Sequence, residues 1–259
     1  MLLSRLWYYL SSIPTLLVGV KNWPTVVGGL LRRQPFTLEL RTGLSYEVRS
    51  LMDVWIIKET CLDRDYETHG IPLQDGWTVV DIGAGLGDFS VYAAKKLPHS
   101  TLYAYEPFPE SFALLQDNIE RNVVQNVKAY PVAIGGAAET LGMDTATGVP
   151  VRHAALQASE TAGALTVKAV TLDEAMQEIG QCDFLKMDCE GGEYDILFHA
   201  SDQALAHIRH ISMEYHDNMT PYTHDDLAKF LDSHGFQVKL TPNPAHREIG
   251  FLYASHKGQ

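Results

Sequence analysis

Two hydrophobic rhythms divide this chain, and the change falls at Trp77. Downstream, short apolar runs are separated by stretches with apolar residues three and four apart, the pattern of βαβ units and a mostly parallel sheet. Strands are expected at 78–81, 101–105, 127–134, 184–187 and 208–213, with helices at 89–96, 109–122 and 194–200. Phe112, Leu115 and Ile119 would share one face of the second of these helices. Thr171 followed by Glu174 forms a capping-box pattern that opens a helix through Ile179, and Thr223 caps another carrying Leu227, Phe230 and Leu231. The last strands, 236–240 and 249–254, flank a loop with Pro242 and Pro244 and suit an antiparallel hairpin on the sheet edge. The fold class expected is α/β, a doubly wound, mostly parallel seven-stranded sheet. Residues 135–168, rich in Gly, Ala and Thr with weak strand runs, read as an insertion over the active face.

Upstream of Trp77 the rhythm is different. Segments 36–40 and 44–48 alternate around Arg41-Thr42-Gly43 and read as a hairpin, with a helix expected over 52–66. Residues 6–20 are apolar but interrupted by Ser11, Ser12 and Pro14, and fall short of the roughly 18 to 20 apolar residues needed to span a bilayer. No small-x-small cleavage site follows. The segment reads as an amphipathic helix, either packed on the domain or lying on a membrane surface. The expected organisation is an N-terminal helix, hairpin and helix over 1–70, then a cofactor-binding domain over 71–259.

Charge sharpens that division. The formal net charge is −12, yet residues 1–33 carry Arg5, Lys21, Arg32 and Arg33 with no acid, +4 against −16 for the remainder. An acidic chain is poorly suited to nucleic acid, whose binding needs clustered Lys and Arg, so a small-molecule acceptor is expected. The basic start, with Trp7, Tyr8, Tyr9 and Trp23, suits peripheral membrane contact as a separate hypothesis. Cys61, Cys182 and Cys189 lack metal-finger spacing and read as core thiols, which fits a reducing cytoplasm.

The chemistry begins at Asp81-Ile-Gly-Ala-Gly-Leu-Gly87, between an expected strand and an expected helix. Glycine at 83 and 85, with Ala84 between them, lets backbone approach a ligand closely. A dinucleotide turn needs a third glycine where Asp88 stands. An acid at Asp81 would repel pyrophosphate and favour the amino group of a methionine moiety, which points to S-adenosylmethionine. Glu106, ending the next strand, is placed to accept hydrogen bonds from ribose hydroxyls. Nicotinamide enzymes share both features, so an NAD-dependent oxidoreductase stays open here, as does a non-catalytic cofactor-binding domain. Backbone near Val132 and Ala133 is the expected adenine neighbour.

A second cluster, Lys186-Met-Asp-Cys-Glu-Gly-Gly-Glu193, would lie on the same sheet edge as the glycine turn, because parallel strands point their carboxyl ends one way. Gly191 and Gly192 permit a tight turn that presents Asp188 and Glu190 to the cleft, with Lys186 tuning the neighbouring acids. Glu214 and His216 follow the fifth strand on one side of it. His216 is a candidate general base, and Asp188, Glu214 and His216 are candidate ligands should a divalent metal be used. Asp188 is also expected beside the cofactor. The N-P-P-Y-like motif usual in amino-directed nucleic-acid methylation is absent after the fourth strand, where Asp188-Cys-Glu stands.

These motifs in this order, from D-I-G-A-G-L-G through Y-E-P-F-P with Phe112, Leu115 and Asn118, then T-L-D-E, K-M-D-C-E-G-G-E-Y and M-E-Y-H, resemble the FkbM-type methyltransferases over roughly residues 78–215. One departure is Leu86, where that family usually carries Asn. The resemblance implies methyl transfer from S-adenosylmethionine, commonly to a hydroxyl oxygen of a sugar or secondary metabolite.

Overall fold

A computed structural model describes residues 2–138, 140–143, 155–157 and 165–258. Helices α1 (Leu2–Gly19) and α2 (Trp23–Arg32) lead into a hairpin of β1 (Phe36–Glu39) and β2 (Ser45–Val48). Its turn needs Gly43, whose φ is 93°. The helix expected over 52–66 is broken into α3 (Leu51–Ile57), a π-helical stretch (Lys58–Asp63) and α4 (Asp65–Thr68). The break follows from buried polar groups: Lys58 pairs with Asp63 at 2.5 Å, and Thr60 Oγ1 donates to Asp88 at 2.6 Å. π-helical turns of this kind mark places where side chains must be re-aimed.

The main sheet is built from β3 (Thr78–Ile82), β4 (Thr101–Tyr105), β5 (Val127–Tyr130), β10 (Cys182–Met187), β11 (Ile208–His216), β12 (Phe236–Pro242) and β13 (Ile249–His256). Its order is β12-β13-β11-β10-β3-β4-β5, and only β13 runs against the rest. Helices α5 (Asp88–Lys96) and α6 (Pro109–Arg121) follow β3 and β4, while α7 (Leu172–Ile179), α8 (Gly192–Phe198), α9 (Asp202–Ala206) and α10 (His224–Ser233) accompany the other half. The two apolar cores lie on opposite faces of the sheet, one around Val79, Phe89 and Phe184, the other around Leu185, Met187 and Ile211. The chain order reverses between β3 and β10, so a crevice opens beyond their carboxyl ends.

The single strand expected at 127–134 is two. Pro131 has no N–H to continue the ladder, and after it β6 (Ala133–Gly135) pairs with β9 (Leu165–Thr171) in a second sheet of order β6-β9-β7-β8, with β7 at Thr140–Met143 and β8 at Ala155–Gln157. Residues 144–154 and 158–164 of the expected insertion lie outside the described residues. Both capping boxes form, Thr171 with Glu174 and Thr223 with Asp226.

Candidate active site

Three glycines shape the turn after β3, and all have positive φ: 75° at Gly83, 54° at Gly85 and 87° at Gly87. They serve different ends. A Cβ on Gly83 would stand 1.9 Å from the Asp188 carbonyl oxygen, so glycine here lets the turn seat against the loop after β10. A Cβ on Gly87 would stand 2.6 Å from Leu115 of α6. A Cβ on Gly85 would meet nothing within 4 Å, because Gly85 faces an open cleft.

Asp81 is not in that cleft, which corrects its expected role. It is fully buried behind the turn, 3.0 Å from Lys186 Nζ, and accepts from Ser90 Oγ at 2.7 Å. Lysine neutralises it, so it cannot meet a ligand's amino group. Ala84 is corrected likewise: its methyl packs with Ala104 and Leu115, and its N–H donates to the Tyr105 carbonyl at 3.0 Å. Lys186 also donates to the Gly83 carbonyl at 2.8 Å and lies 5.3 Å over the Tyr66 ring. Burial alone would lower its pKa, but Asp81, Asp188 and Asp88 hold it above the ordinary lysine value. Lys186 is thus a permanent cation pinning the glycine turn to β10.

Glu106 occupies the expected place. One carboxylate oxygen accepts from Gly85 N–H and the other from Phe108 N–H, each at 2.8 Å. Burial pushes this carboxyl up to about 7, against the pull of those two bonds. Each oxygen keeps a lone pair for a further donor. Ala133 and Ile134 line the cleft near it, and Leu86 adds an apolar wall, its carbonyl accepting from Asn118 Nδ2 at 2.8 Å.

Beside the glycine turn, the loop after β10 adds Asp188 and Glu190 to the cleft lining. Asp188 Oδ2 accepts from Tyr66 O–H at 2.8 Å. Glu190 has φ 52°, a left-handed conformation that costs a non-glycine residue roughly 1–3 kcal/mol. Glu193 holds that shape. It is fully buried, and its oxygens accept from Cys189 N–H at 2.6 Å and Gly191 N–H at 2.9 Å.

His216 lies behind Glu190, outside the cleft lining, with Nε2 3.6 Å from Glu190 and Nδ1 3.3 Å from Glu193. Burial would strip its proton, but Glu193, Glu214 and Asp188 together hold its pKa well above 6.5. Its ring nitrogens face Glu190 and Glu193 and it is absent from the cleft lining, so its reading as general base toward an acceptor is corrected to that of a residue positioning Glu190. Burial, then the charge of Asp188, pushes the Glu214 carboxyl well above the usual range. The cluster with metal-ligand spacing is Asp188, Glu193 and His216, whose candidate atoms lie within 4.8 Å of one another; Glu193 replaces the expected Glu214.

Sequence reasoning missed the N-terminal contribution. Arg49 and Ile56 line the cleft, and Tyr66 reaches Asp188 across 122 residues of chain. No local spacing marks these positions, because their meeting is purely tertiary.

In the cleft lining Asp88, Glu106, Asp188 and Glu190 outnumber Arg49 and Lys186, a balance better suited to a cationic ligand than to pyrophosphate. With glycine backbone and the buried Glu106 carboxyl in its lining, the cleft fits S-adenosylmethionine. Fold and site define a class I S-adenosylmethionine-dependent methyltransferase. The model of the methyltransferase FkbM domain matches residues 81–238, and the chain belongs to that family. It is 28% identical over 222 residues to 31-O-demethyl-FK506 methyltransferase FkbM of Streptomyces tacrolimicus, covering 73% of this chain and 84% of that one. It is 27% identical to AMB antimetabolite synthetase AmbE of Pseudomonas aeruginosa, over 72% of this chain but 11% of that protein. Among solved structures, the methyltransferase FkbM from Methylobacillus flagellatus shares the fold at TM-score 0.53 and 17% identity, covering 73% of this chain and 46% of that one.

Proposed function

We propose that this enzyme methylates a hydroxyl oxygen of a small acceptor, a sugar or secondary metabolite, with Asp188 and Glu190 facing that acceptor. The observation that carries this reading is the placement of two carboxylates in the cleft lining beside the glycine turn, one fixed by Tyr66 and the other held in a strained turn. Glu106, Gly83 and Gly85 would hold the cofactor, together with Asp188 at the boundary between the two ligands. S-adenosylmethionine supplies a methyl group activated on a sulfonium. With the cofactor bound, Asp188 or Glu190 would orient the acceptor hydroxyl and take up the proton it releases. Positioning two reactants in one cleft supplies most of the acceleration. Lys186 and His216 act through others, Lys186 on the turn and His216 on Glu190. The name of the Streptomyces relative, which refers to an O-methyl group, supports oxygen as the target.

The test is incubation with methyl-labelled donor and panels of hydroxylated and amino acceptors. Product on oxygen is expected, with Asp188→Asn or Glu190→Gln lowering kcat by roughly 10²–10⁴-fold while S-adenosylhomocysteine still binds. Label found only on nitrogen acceptors would overturn it.

A metal-assisted route is the second reading, favoured by the convergence of Asp188, Glu193 and His216. Ligation would require His216 to lose its proton and Glu193 to loosen its hold on two backbone N–H groups. Activity that falls on chelation and returns with magnesium or manganese would favour it.

A further inference from the structure

Helix α1 is turned inside out. Its inward face carries Tyr8, Ser12 and Thr15 beside Leu16, with Ser12 buried and Tyr8 O–H donating to Glu59 at 2.5 Å. Its outward face carries Trp7, Leu10, Ile13, Pro14, Leu17 and Val18, with Trp7 74% and Val18 72% exposed. Ordinary surface helices do the reverse. Ten of the thirteen exposed large apolar side chains among the described residues fall between Trp7 and Met52. Among the described residues no helix is long and apolar enough to cross a membrane.

Charge says what covers this face. In a chain of net charge −12, Arg32, Arg33 and Arg41 stand exposed, with no carboxylate within 4.0 Å among the described residues. Arg41 shares a shallow open groove with Pro14, Thr15 and Val18. Arg32 ends α2 directly after the 81% exposed Leu31. Apolar side chains beside unpaired guanidinium groups match a bilayer interface with anionic headgroups. The same surface adjoins the cleft. Tyr9 of α1 touches Trp55 of α3 with ring centroids 5.2 Å apart, and α3 places Ile56 in the cleft wall and Met52, one turn away, in the open.

We propose that the outer face of α1, with Arg41 and the end of α2, docks the enzyme on an anionic lipid surface, bringing the α3 side of the cleft toward the headgroups. The inference does not depend on which atom is methylated.

Sedimentation of the full chain with phosphatidylcholine vesicles, and with vesicles also containing phosphatidylglycerol, tests it. Pelleting with the anionic vesicles is expected, weakening as salt rises. Arg41→Gln should cut partitioning about fivefold, the equivalent of ~1 kcal/mol per basic residue near the surface. Leu10→Asp with Leu17→Asp should abolish it while S-adenosylhomocysteine binding persists. Should that double variant not fold, the fully outward Val18→Asp replaces it. Wild-type protein left in the supernatant, or pelleting unchanged in the variants, would overturn the proposal. So would a concentration-dependent dimer in sedimentation velocity that Leu17→Asp dissolves without any vesicle binding, since the face would then belong to a second copy.

Discussion

Gly83 and Gly85 are two residues apart and both left-handed, yet substitution should separate them cleanly. Gly83→Ala drives a methyl into the Asp188 carbonyl at 1.9 Å, so backbone must move and β3 must part from the loop after β10. Loss of soluble folded protein or a fall of more than about 3 kcal/mol in stability is expected, measured by denaturant unfolding. Gly85→Ala adds a methyl to open space and costs only the left-handed conformation, about 1–2 kcal/mol. It should fold and lose affinity for S-adenosylhomocysteine. Equal stability losses in the two variants would contradict this division. The same scale shows where reading residues alone misleads. Asp81 looked like a ligand contact because its position in the motif was legible, but its partner Lys186 lies 105 positions on, and only the pairing of β3 with β10 brings them together. His216 was legible as a titratable group at a sheet edge, whereas the two glutamates its ring faces, Glu190 and Glu193, became visible only once the turn at Glu190 was formed.

At the scale of elements, α6 and the residue that caps it tie the N-terminal hairpin to the main sheet's helical layer. Asn118 of α6 and its cap Asn122, one turn apart, satisfy the free backbone of β2: Asn118 Oδ1 accepts from Glu47 N–H at 2.6 Å, and Asn122 exchanges bonds with Ser45 N–H and C=O at 3.0 and 2.6 Å. Asn118 Nδ2 meanwhile reaches Leu86 of the glycine turn. Asn118→Ala would strand buried backbone groups and should cost about 1–3 kcal/mol. Hydrogen exchange should show faster exchange in 36–48 and in 83–87 together; a change confined to α6 would contradict the link. The strands of the main sheet and the helices expected after Trp77 were legible because each has its own period, and they fall within a few residues of expectation, whereas β7, β8, β9 and α9 were not expected. The division of 127–134 into two strands and the π-helical stretch were not, because both answer to partners far along the chain.

For the whole molecule, burial of acids dominates the pH response. Burial holds Asp65 and Glu106 at about 7 and Asp88 at about 6, so the folded state binds protons more tightly than the unfolded chain, and stability falls as pH rises from about 4 through about 7. His216 acts in the same sense, since its raised pKa stabilises the fold below about 6.5 and that gain is lost as pH rises through the folded value. The ligand-free protein should melt roughly 2–5 °C higher at pH 6 than at pH 8 in a thermal scan. A higher melting point at pH 8 would mean these carboxyls are better solvated than the fold implies.

Cofactor affinity should move the opposite way, because ionised Glu106 can accept from both ribose hydroxyls while its protonated form turns one oxygen into a donor, and this makes one titration decisive. Isothermal calorimetry of the full chain with S-adenosylhomocysteine should give one site with a dissociation constant on the order of micromolar. Binding should tighten from pH 6 to pH 8, and Glu106→Ala should weaken it at least about tenfold at pH 8. Absence of binding by the wild type, or affinity indifferent to both pH and Glu106, would contradict the assignment of this cleft to S-adenosylmethionine.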